Sequence, residues 1–500
     1  MTITLFSVAI LAIFAVCAVI EIYRGARRGF LKSLVTLCSA VASIILSVCL
    51  SPALSYFISD TVIYNIKHTP FYRSLVGSFS SMEILVEALA GAAISTVLFV
   101  LVFCLVRFVI AIVVHLVYRS KLKSDPSKPQ YMARDGSFIE RNSVRLGMIT
   151  GAVCAVVVTM ALTSPVMGTL DVARSVIKIG ETADAKIWQS SGVETEIDAV
   201  KKYSADLPGN LFYRFGGKLM YRASATASVE GERVYVLDEM ELFHDTVKNF
   251  NQIYPMLKDP SKVSEKRIDA IERLCENVED MKLCHVLIAD FLPVGANAWL
   301  EGKRVFKISK PVLNELIMPA FDEMLRVCAR TDLDNVKQNT VTLLRVYSII
   351  LTSGILDMEN GSYSEMIKHL EKTNAISLLC AELNKNPYMQ SVNRSVGEMA
   401  VRVLAKELVK KSTDDLKYDN FVKNMASAIT SVKSRDYGTT AEMVDVLTDY
   451  TLRYTSDLGV SVPQDVAGFA SESLLKEVVS VDEYVTISEI KKIILDYSKQ

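Results

Sequence analysis

The chain has five histidines, His68, His115, His244, His285 and His369, and no two stand four apart as a helical zinc site requires. In the stretch ELFHD, Glu241 and Asp245 flank His244, a spacing that could tune an imidazole for proton transfer. On an amphipathic helix the same spacing reads first as a surface charge pair. Nucleophile motifs are missing too. After the last apolar stretch there is neither a Gly-x-Ser-x-Gly elbow nor a Gly-Asn-Ser-Gly-Gly-like loop. A phosphate loop fails at GKLMY, 217–221, where Leu219 replaces Ser/Thr and Phe212 replaces the first glycine. The expectation is a chain that is no enzyme, with no catalytic residues, no cofactor and no metal.

Cysteine chemistry divides by location. Cys17, Cys38, Cys49, Cys104 and Cys154 lie in apolar stretches and read as small packing residues. Cys275, Cys284, Cys328 and Cys380 lie in the polar remainder, where an even count permits disulfides. Cys275 and Cys284 are nearest, but an unbroken helix would hold them ~13 Å apart, too far to bridge. Only a break near ENVED would change that, so buried free thiols are expected. Arg107 is the ionisable side chain that stands out in an apolar stretch. It either lies at depth in a membrane or snorkels to the headgroups from the end of a span. No acidic partner is read deep in any span, which argues against proton-coupled transport.

These residues must be positioned by two very different regions. Residues 1–167 carry 14 Lys/Arg against 7 Asp/Glu, and the remainder carries 41 against 49. The first region is apolar blocks with basic connectors; the second has the periodic, charged texture of a soluble helical domain. A helix needs about 20 apolar residues to cross a bilayer. Four spans follow, at about 2–20, 33–58, 86–117 and 146–166, with Pro52 tolerated near the end of the second. Met1 to Ser7 has no Lys or Arg, so the first span is expected to be retained rather than cleaved as a signal peptide. Arg24, Arg27, Arg28 and Lys32 fill the first connector. The third holds Arg119, Lys121, Lys123, Lys128, Arg134, Arg141 and Arg145, whereas the second has only Lys67 and Arg73 before Glu83. By the positive-inside rule the two rich connectors face the cytoplasm. Both termini and the large second region then lie outside it, at a plasma or inner membrane.

Two small-residue motifs sit at the basic ends of spans. Gly25-x-x-x-Gly29 and Gly147-x-x-x-Gly151 each open one helix face to close backbone approach. They favour helix packing, within the chain or between copies in a homo-oligomer.

The stretch RGARRGF, with Gly25, Arg28, Gly29 and Phe30, and the stretch RNSVRLGMITG, with Arg141, Arg145, Gly147 and Gly151, carry a resemblance. With the four spans around them they resemble the colicin V production (CvpA-like) family, over about the first third of the chain. The connector from Arg119 to Arg145 is longer than that family's pattern, and the remaining two thirds lie outside it. The resemblance implies a multi-pass membrane protein linked to toxin or bacteriocin production, export and envelope processes, without an enzymatic activity.

From Asp171 onward the pattern is helix after helix. Apolar positions three and four apart run through Val234 to Lys258, Ser264 to Cys275, Pro311 to Val327, Val336 to Ile350 and Tyr363 to Leu383. They continue through Val396 to Leu408, Asn420 to Ile429, Glu442 to Leu458 and Ile487 to Tyr497. Loops are expected at KDPSK, LPVGAN, NKNPY and SVPQD. Arg233 to Leu237 is the best strand candidate. DTVKN, DNVKQ and DNFVKN read as similar helix openings, by duplication or because Asp and Asn cap helices. The fold expected is all-α: a four-helix integral membrane anchor, 1–167, followed by a large, mainly α-helical extracytoplasmic domain, 168–500, in one piece or two subdomains, able to fold by itself. Its partners would be the lipid bilayer and a protein of the cell envelope, with no nucleic acid. A scaffold is the function expected, and a transport or export component the alternative.

Overall fold

The computed structural model describes residues 5–68, 82–124, 138–183, 194–205, 207, 210–229, 231–258, 264–301, 311–355, 363–413, 415–435, 437, 439–478 and 484–499. Arg73, Lys128 and Arg134, and most of KDPSK, lie outside the described residues. So do the side chains of Arg28 and Arg141. The described chain is helical apart from one two-stranded hairpin.

Three long helices open it: α1 (Leu5–Lys67), α2 (Met82–Ser124) and α3 (Phe138–Ala183). They contain four stretches long and apolar enough to cross a membrane, Ser7–Arg27, Gly29–Ile58, Glu83–Val114 and Ser143–Lys178. The first two share α1. The connector expected between them is one non-helical residue, Gly29, at φ 73° and ψ 176°. A side chain rarely adopts that φ, so the glycine is required here. Ser33 Oγ donates to the carbonyls of Gly29 (2.8 Å) and Gly25 (3.4 Å). An unbroken helix would hold Gly25 and Ser33 about 12 Å apart along its axis, so the chain turns back at Gly29.

The bundle is closed by small and polar side chains as much as by large ones. Ser43, Ser47 and Ser51 are fully buried in α1. Ser43 and Ser47 return their hydroxyls to the carbonyls four residues back, and Ser55 Oγ donates to the Gly91 carbonyl of α2 at 3.1 Å. Between them, Ala40, Phe99, Phe103, Cys154, Val158 and Ala161 form an apolar cluster.

The first compact unit does not stop at the spans. It comprises Met1–Lys248 and Met281–Leu287, so the division expected after residue 167 falls inside it. After α3 come α4 (Glu194–Ser204), a π-helical turn Tyr213–Gly217, α5 (Lys218–Ser224) and strands β1 (Thr226–Val229) and β2 (Glu232–Tyr235). The strands pair antiparallel, with Thr226 opposite Tyr235 and Val229 opposite Glu232. This is the strand expected near Arg233, two residues shorter at its end because α6 (Val236–Lys258) begins there. Glu239 of α6 is buried, and its carboxylate accepts the backbone N–H groups of Lys282, Leu283 and Cys284 at 2.9–3.1 Å. Those N–H groups precede α8 (His285–Leu300) and would otherwise be unsatisfied.

The second unit, Asn249–Asp280 and Ile288–Gln500, has helices and no strand among its described residues. It holds α7 (Glu265–Asp280), α9 (Pro311–Cys328), α10 (Val336–Thr352), α11 (Tyr363–Thr373), α12 (Ala375–Asn384) and α13 (Gln390–Lys411). It closes with α14 (Asp415–Ser434), α15 (Thr440–Asp457), α16 (Gln464–Val478) and α17 (Ile487–Lys499). A large cluster including Met324, Leu383, Val422, Ile429, Leu447 and Ile490 forms its core. The stripe expected from Tyr363 to Leu383 is two helices, because Asn374 takes φ 51° between them. LPVGAN is no loop but part of α8, its Pro293 carried inside the helix. DTVKN lies within α6 and DNFVKN within α14; of the three similar stretches DNVKQ alone opens a helix, α10 with Asn335 at its N-cap. The repeat reading therefore loses its structural basis.

Cys275, Cys284, Cys328 and Cys380 are free and buried. Burial pushes the Cys328 and Cys380 thiols up to about 12 and Cys275 to about 11, so none is a ready nucleophile at neutral pH.

Candidate functional site

The two glycine motifs meet each other. A β-carbon on Gly25 would strike the carbonyl of Gly147, and one on Gly147 would strike the carbonyls of Gly25 and Gly29. A β-carbon on Gly151 would strike the Glu21 carbonyl and the Ile22 backbone. The first arm of α1 therefore lies on α3 backbone to backbone, the arrangement that small residues four apart permit. Ser143, one turn before Gly147, accepts the Phe30 N–H at 3.3 Å, which ties the turn after Gly29 to the same helix.

That contact walls a buried ion pair. Glu21 of α1 is 5% exposed, and its Oε1 accepts from Arg107 Nη2 of α2 at 2.6 Å. The same oxygen accepts from Arg24 Nη1 at 3.2 Å, from a guanidinium that is half exposed. Cys154 Sγ of α3 lies 3.8 Å from Arg107 Nη2. Three helices thus contribute an acid, a base and a thiol to one place. A crevice beside them, lined by Glu21, Arg24, Gly25, Ser33, Thr36, Gly151 and Cys154, is too narrow to hold a water molecule. The pair can latch the helices together, or carry a proton if it is opened.

Of the residues singled out from sequence, the structure brings together Gly25, Gly29, Gly147, Gly151 and Arg107, with Phe30 at the edge. Arg27 is exposed, its guanidinium 4.7 Å over the Tyr23 ring, and Arg145 is exposed. The Arg107 guanidinium is paired with Glu21. Glu21 is the residue sequence reasoning missed. It stands one position beyond the span expected to end at Ile20, and so counts there as a flanking charge. The available signal was Arg107 itself, since a charge within a span calls for a partner. His244 lies 3.7 Å from Asp245, whose side chain is largely exposed, the surface pair expected.

The second unit has its own polar cleft, of about 660 Å³, lined by Glu279, Lys337, Gln338, Val341, Thr342, Arg345, Glu382 and Lys385. Arg345 bridges Glu279 (3.0 Å) and the buried Glu382 (3.4 Å), and Lys385 also binds Glu382 at 2.7 Å. Lys337 Nζ donates to the Glu279 carbonyl at 3.4 Å. Behind it, the buried amides of Asn339 and Asn386 hydrogen-bond each other at 2.9 Å, and Asn386 donates to Thr342 at 3.1 Å. The floor is tied by hydrogen bonds; the rim carries three cations against two carboxylates.

Among the described residues no group of three or more His, Cys, Asp or Glu side chains gathers as a metal site. No family model, curated protein or solved structure matches the chain.

Proposed function

We propose that the chain is a multi-pass membrane scaffold, whose helix bundle anchors a helical second unit that binds a protein partner in the cell envelope. The observation that carries this reading is the contact of Gly147 with Gly25 and Gly29, and of Gly151 with the backbone of Glu21 and Ile22. Backbones in direct contact, with a crevice beside them that excludes water, suit a fixed anchor better than a conduit. The resemblance to the colicin V production family supports a link to toxin production or export. The basic connectors favour a cytoplasmic position for 119–145, with both termini and the second unit outside. The charged rim of the cleft at Lys337, Arg345 and Lys385 is the surface best suited to a polar partner.

One observation favours the transport alternative: the buried Glu21–Arg107 pair, since ionisable groups between spans often mark ion paths. Purified full-length protein in vesicles with a pH gradient separates the two. A scaffold leaves proton and ion leak at the level of empty vesicles. Flux that Glu21→Gln abolishes would replace the scaffold reading with the transport one. Orientation is tested in intact cells by protease access: cleavage near Lys258 without lysis and protection of Lys121 fit the proposal, and the converse puts the second unit in the cytoplasm.

A further inference from the structure

Residues 211–224, which follow α3 and α4 in the chain, pack back onto the bundle. The helix they form presses one face onto the apolar stretches themselves. The Phe212 ring lies 4.9 Å from Phe14 of α1. Gly216 faces the Met160 sulfur of α3, and Gly217 faces the Met167 methyl, contacts a larger residue would obstruct. Met220 packs on the cluster of Phe99, Phe103 and Cys154. At the end of the helix, Ser95 Oγ of α2 donates to the Ser224 carbonyl at 2.7 Å, both residues buried. Phe14, Ser95 and Met160 all lie inside stretches apolar and long enough to cross a membrane. Phe14 falls about 10 Å beyond Ser7, where the first of these begins.

The opposite face of the same helix is bare. Leu211, Phe215 and Leu219, four residues apart, are 64%, 78% and 70% exposed. Beside that ridge runs a basic stripe of Arg214, Lys218 and Arg222. Lys218 is held by Glu241 at 2.5 Å and Arg222 by Asp238 at 2.7 Å, both on α6. An apolar ridge next to a basic stripe is the pattern of a helix lying in a membrane interface. The backbone also meets what lipid requires, because the helix satisfies its own groups and Ser95 takes up a carbonyl at its end.

We infer that 211–224 is a fifth membrane element, a half-inserted helix whose Leu211–Phe215–Leu219 ridge is covered by lipid acyl chains. The inference rests on the membrane reading of the four long stretches, and goes beyond it in placing a segment outside all of them in the bilayer. Its occupant is lipid rather than protein because the helix is seated on the apolar stretches themselves, at Phe14, Ser95 and Met160, and those stretches carry exposed apolar residues of their own, such as Leu11, Val97 and Leu101.

The test uses full-length protein in phosphatidylcholine vesicles, with and without bromine on the acyl chains. Phe215→Trp reports the ridge, Leu219→Trp repeats it at a second position, and Leu101→Trp reports a span. Emission of the unsubstituted protein is subtracted. Both ridge variants are expected to lose about as much emission to brominated lipid as Leu101→Trp, and to resist iodide in the water. Quenching at Leu101 with none on the ridge, and iodide quenching there instead, overturns the inference and leaves the spans in place. No lipid quenching at any of the three positions overturns the membrane reading as well.

Discussion

Glu21 and Arg107 belong to different helices and hold each other at 2.6 Å, with side chains 6% and 19% exposed. Withdrawing two charges from water is costly, and the cost is recovered only while both are present. Glu21→Leu alone should therefore destabilise the detergent-solubilised protein by about 3–5 kcal/mol, because it strands a buried guanidinium. Arg107→Leu added to it should restore most of that loss. Thermal unfolding of the single and double variants checks both expectations. Equal losses from Glu21→Leu and from the double variant would mean that the pair contributes packing rather than charge. At this scale the sequence exposes one partner and hides the other. Arg107 interrupts an apolar run and announces itself, whereas Glu21 sits where a span gives way to basic residues and looks like any flanking charge. Helix pairing across three elements decides its role, and no local pattern encodes that pairing.

Elements are read well where periodicity is their cause and poorly where a contact is. The stripes from Pro311 and Val336 become α9 and α10 within a residue or two, because burial follows spacing. The turn between the first two spans is different. Four cations and two glycines read as a connector, yet the helix continues through Arg27 and breaks only at Gly29, where α3 presses on it. That contact makes the glycines sensitive to one carbon, not only to bulk. Gly147→Ala or Gly151→Ala should cost about 1–3 kcal/mol of thermal stability, the range for overpacking, since the new carbon meets backbone that cannot swing aside. Unchanged melting of both would mean that the two helices do not touch there. A smaller effect belongs to α17. Thr486 and Glu489 cap it reciprocally: the Thr486 N–H donates to Glu489 Oε2 at 2.7 Å, and the Glu489 N–H donates to Thr486 Oγ1 at 3.3 Å. The backbone N–H and then the hydroxyl of Thr486 hold the Glu489 carboxyl below its usual 4.5. A depressed folded value makes the cap complete above pH 4.5 and lost as pH falls through that lower value. Amide exchange at 487–490, corrected for intrinsic rate, should rise across that window in the parent and show no such step in Glu489→Gln.

At the scale of the whole chain, composition marks the change of texture near residue 167 but misplaces the structural division. The switch from apolar to charged sequence records where the long spans end. It does not record which later segments pack back onto them. The stretch from Tyr213 to Val234 is polar enough on average to read as soluble, with Arg214, Lys218, Arg222 and Arg233 spread through it. Its buried residues, among them Tyr213, Tyr221, Ala225 and Val234, nevertheless belong to the first unit. Gly168 of α3 lies directly under the Tyr221 ring, and Tyr213 donates its hydroxyl to Asp171 of α3 at 2.6 Å. A fragment beginning at Asp171 keeps Asp171 but loses Gly168, together with Phe14, Ser95, Met160 and Met167. It would present Met220 and the Phe212 ring to water, in addition to the exposed Leu211, Phe215 and Leu219. The fragment 171–500 should therefore aggregate or demand detergent. The fragment 249–500 carries the second unit's own clusters, around Ile253 and Ile271 and around Val422 and Leu447, and should be soluble, helical and cooperative in unfolding. Size-exclusion chromatography and circular dichroism of the two fragments decide the matter. If 171–500 is the well-behaved one and 249–500 collapses, the second unit needs 171–248 for its own stability, and the boundary returns to the end of the last span.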